Sequence, residues 1–354
     1  MSSIISKIAN PQSKPFVIAG PCSVESEVQV METALLLSQI EQVKVLRGGI
    51  WKPRTRPNSF EGIGEQALPW LVNAALQNNL LSATEVANAK HVEACLKAGV
   101  SLVWIGARTT VNPFSVQEIA DALKGVKIPV FVKNPINPDI DLWIGAIERV
   151  ANAGITQIAA IHRGFSTSEK QSYRNAPMWE IPLELKRRLS GTTILCDPSH
   201  ISGKTELIAK VSQKAMDLNM DGLMIEVHPK PDYALSDKDQ QLHPFELKNL
   251  IANLIIKQPE GENAKERDEL LRLRSYIDDL DEKIIELLAD RMNISEKIGD
   301  YKRKNKMTIF QLERWKTIFE NRSMQGNSLG LSKEFLQKFL ESVHKESIRR
   351  QEGK

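Results

Sequence analysis

Features that would place this chain outside the cell or across a membrane are scarce. Three of its 354 residues are cysteine: Cys22, Cys95 and Cys196. They are too few and too scattered for a disulfide framework, so a reducing cytoplasm is the expected compartment. No run of about 18 apolar residues occurs, so no spanning helix is expected. Residues 1–14 are polar without an apolar core, so no secretory leader is expected there. A one-sided charge is missing as well, because 47 Lys and Arg stand against 44 Asp and Glu. That balance argues against nucleic-acid and membrane partners, and any functional basic cluster has to be local. The apolar fraction of 42% is ordinary, and the length suits about two domains with full cores.

From residue 16 to about 257, short apolar runs alternate with helical stretches. Eight runs read as strands: 16–19, 45–48, 80–84, 102–105, 130–133, 157–162, 193–196 and 222–227. Several are apolar on both parities, the mark of strands covered on both faces. Eight such strands alternating with helices predict an α/β domain, a (β/α)8 TIM barrel, over residues 1–257. A doubly wound open sheet is the alternative. The count of eight and the lack of a Gly-rich dinucleotide turn favour the barrel.

Residues 258–265 are polar, include Pro and Gly, and have no apolar period, so they read as a linker. Residues 266–354 then read as an all-α domain. Between Arg267 and Lys304 there is no proline and one glycine, Gly299. Leu270, Leu273, Ile277, Leu280, Ile284, Leu287, Ile294, Ile298 and Tyr301 recur with 3-4 spacing, a helical seam. A helix of that length, roughly 55 Å at 1.5 Å per residue, is too long for a domain this small to cover. It is expected to pair with a second chain as a homodimer. Shorter helical patterns follow over 312–321 and from about 331 to 351.

Four polar residues follow or end barrel strands: Cys22 in GPCSVE (20–25), His200 in CDPSH (196–200), Glu226 in MIEVHP (224–229) and Asp237 in ALSD (234–237). Carboxyl ends of barrel strands share one mouth, so these groups can converge there. A thiolate, an imidazole and two carboxylates suit manganese, iron, cobalt or zinc better than magnesium. Each also has a plainer reading. A lone Cys is more often a small buried hydrophobe, and His228 is the rival imidazole to His200. Glu226 is harder to dismiss, because a carboxylate inside a buried strand is costly unless paired or metal-bound.

Basic residues end four strands as well. LRGGIWKPRT (46–55) carries Arg47, Lys52 and Arg54, IGAR ends in Arg108, VKN carries Lys133, and IHRG carries Arg163. In an empty cleft such charges would repel, and phosphates with a carboxylate would balance them. A solvated basic rim is the alternative. Glu85 ends the third strand at the same mouth.

The order GPCSxE, KPRT, DPSH, EVHP and ALSD resembles the 3-deoxy-D-arabino-heptulosonate 7-phosphate (DAHP) synthase family over nearly all of residues 16–245. That resemblance implies a single divalent metal ion, manganese first, held by Cys22, His200, Glu226 and Asp237. It implies that Arg108, Lys133 and Arg163 hold phosphoenolpyruvate, with Arg47 and the catalytic Lys52 near its carboxylate and reacting end. Arg54 and Thr55 would hold the phosphate of erythrose 4-phosphate, and Glu85 would face the mouth. Asn134 and Arg56 depart from the family's pattern. The extra N-terminal regulatory domain of many members is not expected here. The eight-carbon homologue, 3-deoxy-D-manno-octulosonate 8-phosphate synthase, shares this chemistry, and the KPRT motif argues against it.

The tail seam has one discordant member. Position 291 continues the series 277, 284, 298 yet is Arg, and a charge in an apolar seam needs an anion. Lys302 lies about three turns on, on nearly the same face, whereas Arg274 lies roughly 100° away. This region resembles the all-helical chorismate mutases. The resemblance implies a substrate set of Arg274 from the partner chain, Arg291 and Lys302 as catalytic cations, and Gln311, Arg314, Ser347 and Gln351. Gln311 and Trp315 depart from the acidic residues common there. A plain dimerising coil and a chorismate or prephenate sensor are the alternatives to an active mutase. The whole chain then reads as a bifunctional enzyme of aromatic amino-acid synthesis, with feedback from the tail onto the barrel.

Overall fold

The computed structural model describes residues 15–52, 60–168, 172–257 and 264–353. The chain divides into two compact units, Met1–Pro259 and Glu260–Lys354. No described helix is long and apolar enough to cross a membrane.

In the first unit eight parallel strands close into a barrel in sequence order. They are β1 (Phe16–Gly20), β2 (Val43–Arg47), β3 (Leu81–Val86), β4 (Leu102–Ile105), β5 (Val130–Lys133), β6 (Ile158–His162), β7 (Thr193–Cys196) and β8 (Gly222–Glu226). Closure through β1 pairing with β8 rules out the open-sheet alternative.

The two parities of each strand feed two cores. Phe16, Ile18, Val45, Ala83, Leu102, Trp104, Phe131 and Ala159 share the barrel interior with Ile161, Leu195 and Met224. Their neighbours, such as Val17, Leu46, Val103, Val132 and Leu223, pack outward beneath the helices. This is why the strands read as continuous apolar runs.

Side chains alternate along a strand, so the residue two beyond the last interior apolar one lies on the same face. Stepping on by two from Ile18, Val45, Ala83, Trp104, Phe131, Ile161, Leu195 and Met224 reaches Gly20, Arg47, Glu85, Gly106, Lys133, Arg163, Asp197 and Glu226. Six charged residues and two glycines thus follow the interior core toward the carboxyl-end mouth. The glycines make room. A Cβ on Gly106 would stand 2.1 Å from Glu85 Oε1, and one on Gly20 would stand 2.0 Å from the Arg47 carbonyl oxygen.

The second unit is three helices, α1 (Ala264–Lys304), α2 (Leu312–Ser328) and α3 (Lys333–Gln351). The first has 41 residues, about 60 Å of helix. Its C-terminal half packs on α3, where a Cβ on Gly299 would stand 2.6 Å from the Cα of Gln351. Met292, Ser295 and Lys302 are buried on that side. The N-terminal half is different. Leu273, Ile277, Leu280 and Ile284 are exposed there, as are Leu287, Ile294, Ile298 and Tyr301 farther along the same seam, so the seam read from the sequence is left uncovered within the chain.

Candidate functional site

At the barrel mouth the charged residues are held in pairs. Arg47 is 1% exposed, and its Nη2 lies 3.2 Å from Glu226 Oε1. Lys133 Nζ lies 2.7 Å from Asp197 Oδ2, both groups buried. Trp104 lies within cation–π range of both cations, its ring 5.0 Å from the Arg47 guanidinium and 5.7 Å from Lys133 Nζ. Its indole donates to Glu85 Oε2 at 2.9 Å. The expectation of an uncompensated basic set therefore needs correcting, because buried carboxylates balance Arg47 and Lys133.

Arg163 keeps more of its charge unanswered. It donates to Asn175 Oδ1 at 2.8 Å. Burial pushes its pKa down to about 10, and nearby Arg174 and Arg108 push the same way, against Asp197 and Glu85. Arg163 thus stands among basic neighbours, which suits an anion at this side of the mouth. Asn134, one of the departures noted above, has a structural task. It accepts from the Arg163 backbone at 2.7 Å and donates to the Gly164 carbonyl at 2.8 Å, tying β5 to the loop that carries Arg163. Arg54, Thr55 and Arg56 lie outside the described residues.

The four expected metal ligands are brought to one region. Cys22 Sγ is 3.3 Å from Asp237 Oδ2, and His200 Nε2 is 3.8 Å from Glu226 Oε1. As placed, no three His, Cys, Asp or Glu side chains among the described residues form a cluster that could hold a metal. Protein cations also lie against these donors. Lys52 Nζ lies 3.0 Å from Cys22 Sγ, and Arg174 Nη1 lies 3.0 Å from Asp237 Oδ1. Burial alone would raise both carboxylates. Arg174 and Lys52 hold Asp237 well below the usual range, and His200 with Arg47 lowers Glu226. Burial pushes the Cys22 thiol up to about 12, with Glu226 adding to the rise.

The donor chemistry fits a borderline divalent ion. Glu226 Oε1 is buried and makes no hydrogen bond among the described residues. His200 has its Nδ1 engaged by Asp197 at 2.9 Å, which fixes the ring and turns Nε2 toward Glu226. A carboxylate behind the imidazole is the usual support of a metal-binding histidine. His228, the rival imidazole, faces elsewhere, its Nε2 being 3.5 Å from Glu25. The β8 loop is anchored to the β1 loop by Ser236 on Ser23 (2.6 Å) and by the Cys22 backbone donating to Gln241 (2.9 Å).

Several contributors were not singled out from the sequence. Asp197 was read only as a neighbour of His200, yet it caps the helix Pro198–Ser202 and also pairs with Lys133. Its place in the DPSH motif and two residues beyond Leu195 was the available signal. Arg174 and Gln240, which bond each other at 2.7 Å, left no pattern at all.

In the second unit a cavity of about 550 Å³ lies among the three helices. Arg291, Lys302, Gln311, Arg314, Ser347 and Gln351 all line it. Arg291 donates to the Ser347 hydroxyl, and Lys302 Nζ donates to Gln351 Oε1 at 3.0 Å. Burial lowers the pKa of Arg291. Gln311 is the N-cap residue of α2, its backbone φ of −130° being extended. Arg274 is exposed and stands 17 residues, about 25 Å along the helix, before Arg291, so it does not reach the cavity of its own chain.

A closed barrel with ordered charged groups at its carboxyl-end mouth has the layout of a (β/α)8 enzyme. Residues 3–258 match the family described as DAHP synthetase I, and residues 273–352 match chorismate mutase type II. The chain belongs to the DAHP synthetase I family and carries a chorismate mutase type II domain behind the barrel. A phospho-2-dehydro-3-deoxyheptonate aldolase of Thermotoga maritima is 37% identical over 231 residues, 65% of this chain and 66% of that protein. A crystal structure of the Thermotoga maritima phospho-2-dehydro-3-deoxyheptonate aldolase (DAHP synthase) aligns with a TM-score of 0.61 at 35% identity, covering 67% of each chain. A 2-dehydro-3-deoxyphosphooctonate aldolase of Francisella tularensis is 24% identical, over 72% of this chain and 99% of that protein.

Proposed function

We propose that the barrel condenses phosphoenolpyruvate with erythrose 4-phosphate and one water to give DAHP and phosphate, the water adding at the phosphate-bearing carbon as the enol carbon attacks the aldehyde, while the helical unit rearranges chorismate to prephenate. The observation that carries the first half is the set of charged residues at the mouth, where the basic groups Arg47, Lys133 and Arg163 accompany the Cys22, His200, Glu226 and Asp237 donors. Arg163, Arg108 and Lys133 bind the phosphate of phosphoenolpyruvate, and Arg47 with Lys52 neutralises its carboxylate. Arg54 and Thr55 bind the aldose phosphate, and Glu85 lines the mouth.

Cys22, His200, Glu226 and Asp237 would hold one divalent ion, manganese first and iron, cobalt or zinc next. When bound, it supplies Lewis-acid polarisation of the aldehyde. The protein orients the enol carbon toward that aldehyde and keeps both phosphates apart. The cations stabilise negative charge as phosphate departs. Lys52, already 3.0 Å from Cys22 Sγ, gives up that contact to serve substrate. Replacing Cys22 by Ala is expected to abolish metal retention, read by elemental analysis of the dialysed protein, together with DAHP formation. Full activity with full metal content would remove Cys22 from the site.

For the helical unit the supporting observation is the convergence of Arg291, Lys302 and Arg314 on one cavity. Chorismate brings two carboxylates and an ether oxygen that gains negative charge as it rearranges, so fixed cations suffice without a covalent step. We assign the uncovered half of α1 to a homodimer, in which Arg274 enters the partner's cavity. Occupation of that cavity by prephenate or chorismate lowers the synthase rate. Saturating prephenate is expected to reduce DAHP formation several-fold, and an unchanged rate would contradict the feedback.

A further inference from the structure

The barrel interior is apolar throughout, yet its largest member carries a polar N–H. Trp104 of β4 is buried there, two residues before Gly106 and one layer below the charged mouth. A buried indole needs a partner for its N–H. That partner is Glu85 Oε2 at 2.9 Å, and the bond fixes the plane of the ring.

Two cations lie over this ring. The Arg47 guanidinium is 5.0 Å from the centroid, and Lys133 Nζ is 5.7 Å from it. Hydrogen bonds alone account poorly for Arg47. Its Nη2 lies 3.3 Å from the Cys22 carbonyl and 3.2 Å from Glu226 Oε1. Its buried Nε and Nη1 make no hydrogen bond among the described residues. A buried charge so sparsely bonded is costly, and the negative face of an aromatic ring offsets part of that cost. Lys133 has Asp197 at 2.7 Å and the same ring. Each cation therefore has two holds, a carboxylate and the indole. The indole meets every charge with the matching part of its own quadrupole, its N–H edge toward Glu85 and its face toward Arg47 and Lys133.

We propose that Trp104 is a positioning residue for phosphoenolpyruvate, its indole holding Arg47 and Lys133 at the spacing that the substrate's carboxylate and phosphate require. The proposal rests on the reading of the barrel given above, in which those two cations serve phosphoenolpyruvate. Trp104 is buried and acts through them. Without the attraction of the ring, Glu226 and Asp197 alone would set their positions. Both cations would then settle onto those carboxylates and away from the substrate's anionic groups.

The test uses the full, manganese-supplemented chain with Trp104 replaced site-specifically by mono-, di- and trifluorotryptophan. These keep the shape and the N–H of the indole while draining its face of negative charge. Calorimetric titration with phosphoenolpyruvate is expected to show Kd rising with each fluorine, to about tenfold across the series. The KM for erythrose 4-phosphate, the manganese content and the melting temperature should stay constant. A purely structural role would leave Kd flat. Trp104→Phe, which is smaller and lacks the N–H, should weaken phosphoenolpyruvate at least as much. If that variant fails to fold, the near-isosteric fluorinated series gives the decision. A constant Kd across the series, or a loss of affinity that follows lost manganese or a lower melting temperature, overturns the proposal. If the unsubstituted chain binds phosphoenolpyruvate but forms no DAHP, the condensation reading fails, and the same titrations still judge Trp104. If it binds no phosphoenolpyruvate, both fail.

Discussion

Asp197→Asn should lower both the stability and the synthase rate of the barrel more than any other single neutral substitution at its mouth. The carboxylate is fully buried, pairs with Lys133 at 2.7 Å, and receives the His200 backbone and Nδ1 at 3.1 and 2.9 Å. An amide leaves Lys133, itself 3% exposed, without a counter-charge. Breaking one side of a buried pair costs about 3–5 kcal/mol. For a unit of this size each kcal/mol moves the melting temperature by about 2–4 °C, so a fall of roughly 10 °C is expected. The amide also loosens the orientation of His200, and if His200 holds the metal as proposed, weakened support behind it costs about 10–100-fold in metal affinity or activity. Calorimetry and a DAHP assay read the two effects. A variant that melts and turns over like the unsubstituted chain would show that the Lys133–Asp197–His200 chain carries no weight.

Arg291→Leu should separate function from stability in the helical unit. Removing a half-buried cation from an apolar wall relieves a desolvation cost, so the helices should melt no earlier than before. Chorismate turnover should fall at least 100–1000-fold, the loss seen when one preorganised charge-stabilising group is removed. DAHP formation without effector should be unchanged. The proposed homodimer gives a sharper outcome. Mixing Arg274→Ala with Arg291→Ala chains should restore activity, because a mixed dimer has one cavity with both arginines intact. No recovery after confirmed exchange of chains would mean that Arg274 serves no partner cavity.

Much of the barrel was legible because its strands carry two simultaneous patterns. The continuous apolar runs identified strands covered on both faces, and the count of eight closed the sheet. The polar residue beyond each run was legible as a position. What each one touches was not. Arg47 with Glu226, and Lys133 with Asp197, join residues 179 and 64 positions apart, and no local spacing encodes such pairs. A reading by residue type therefore took the basic groups as unbalanced. Arg174 lies in the loop after β6, where nothing periodic marks it, and it meets Asp237 only through the fold.

The tail divided the same way. The 3-4 seam predicted one long helix, and a single helix is what forms. Helix α2 runs to Ser328, beyond the expected end at 321, because neither a proline nor a strong break interrupts it before Gly330. Spacing puts Arg291 and Lys302 on nearly one face, the resemblance to the chorismate mutases adds Ser347 and Gln351, and all four line one cavity. Trp315 was visible only as a departure. That it stacks on His344 could not be read from sequence, because the two residues sit on different helices.

The central claim is that this barrel uses a four-carbon aldose phosphate. The direct measurement offers the purified, manganese-supplemented chain phosphoenolpyruvate with either erythrose 4-phosphate or arabinose 5-phosphate, and follows phosphate release. The account predicts one phosphate released per sugar consumed with erythrose 4-phosphate, and a rate at least 100-fold lower with arabinose 5-phosphate, within the range by which a site rejects a misfitting substrate. Equal or faster turnover of arabinose 5-phosphate, or no phosphate release with either sugar, would contradict it.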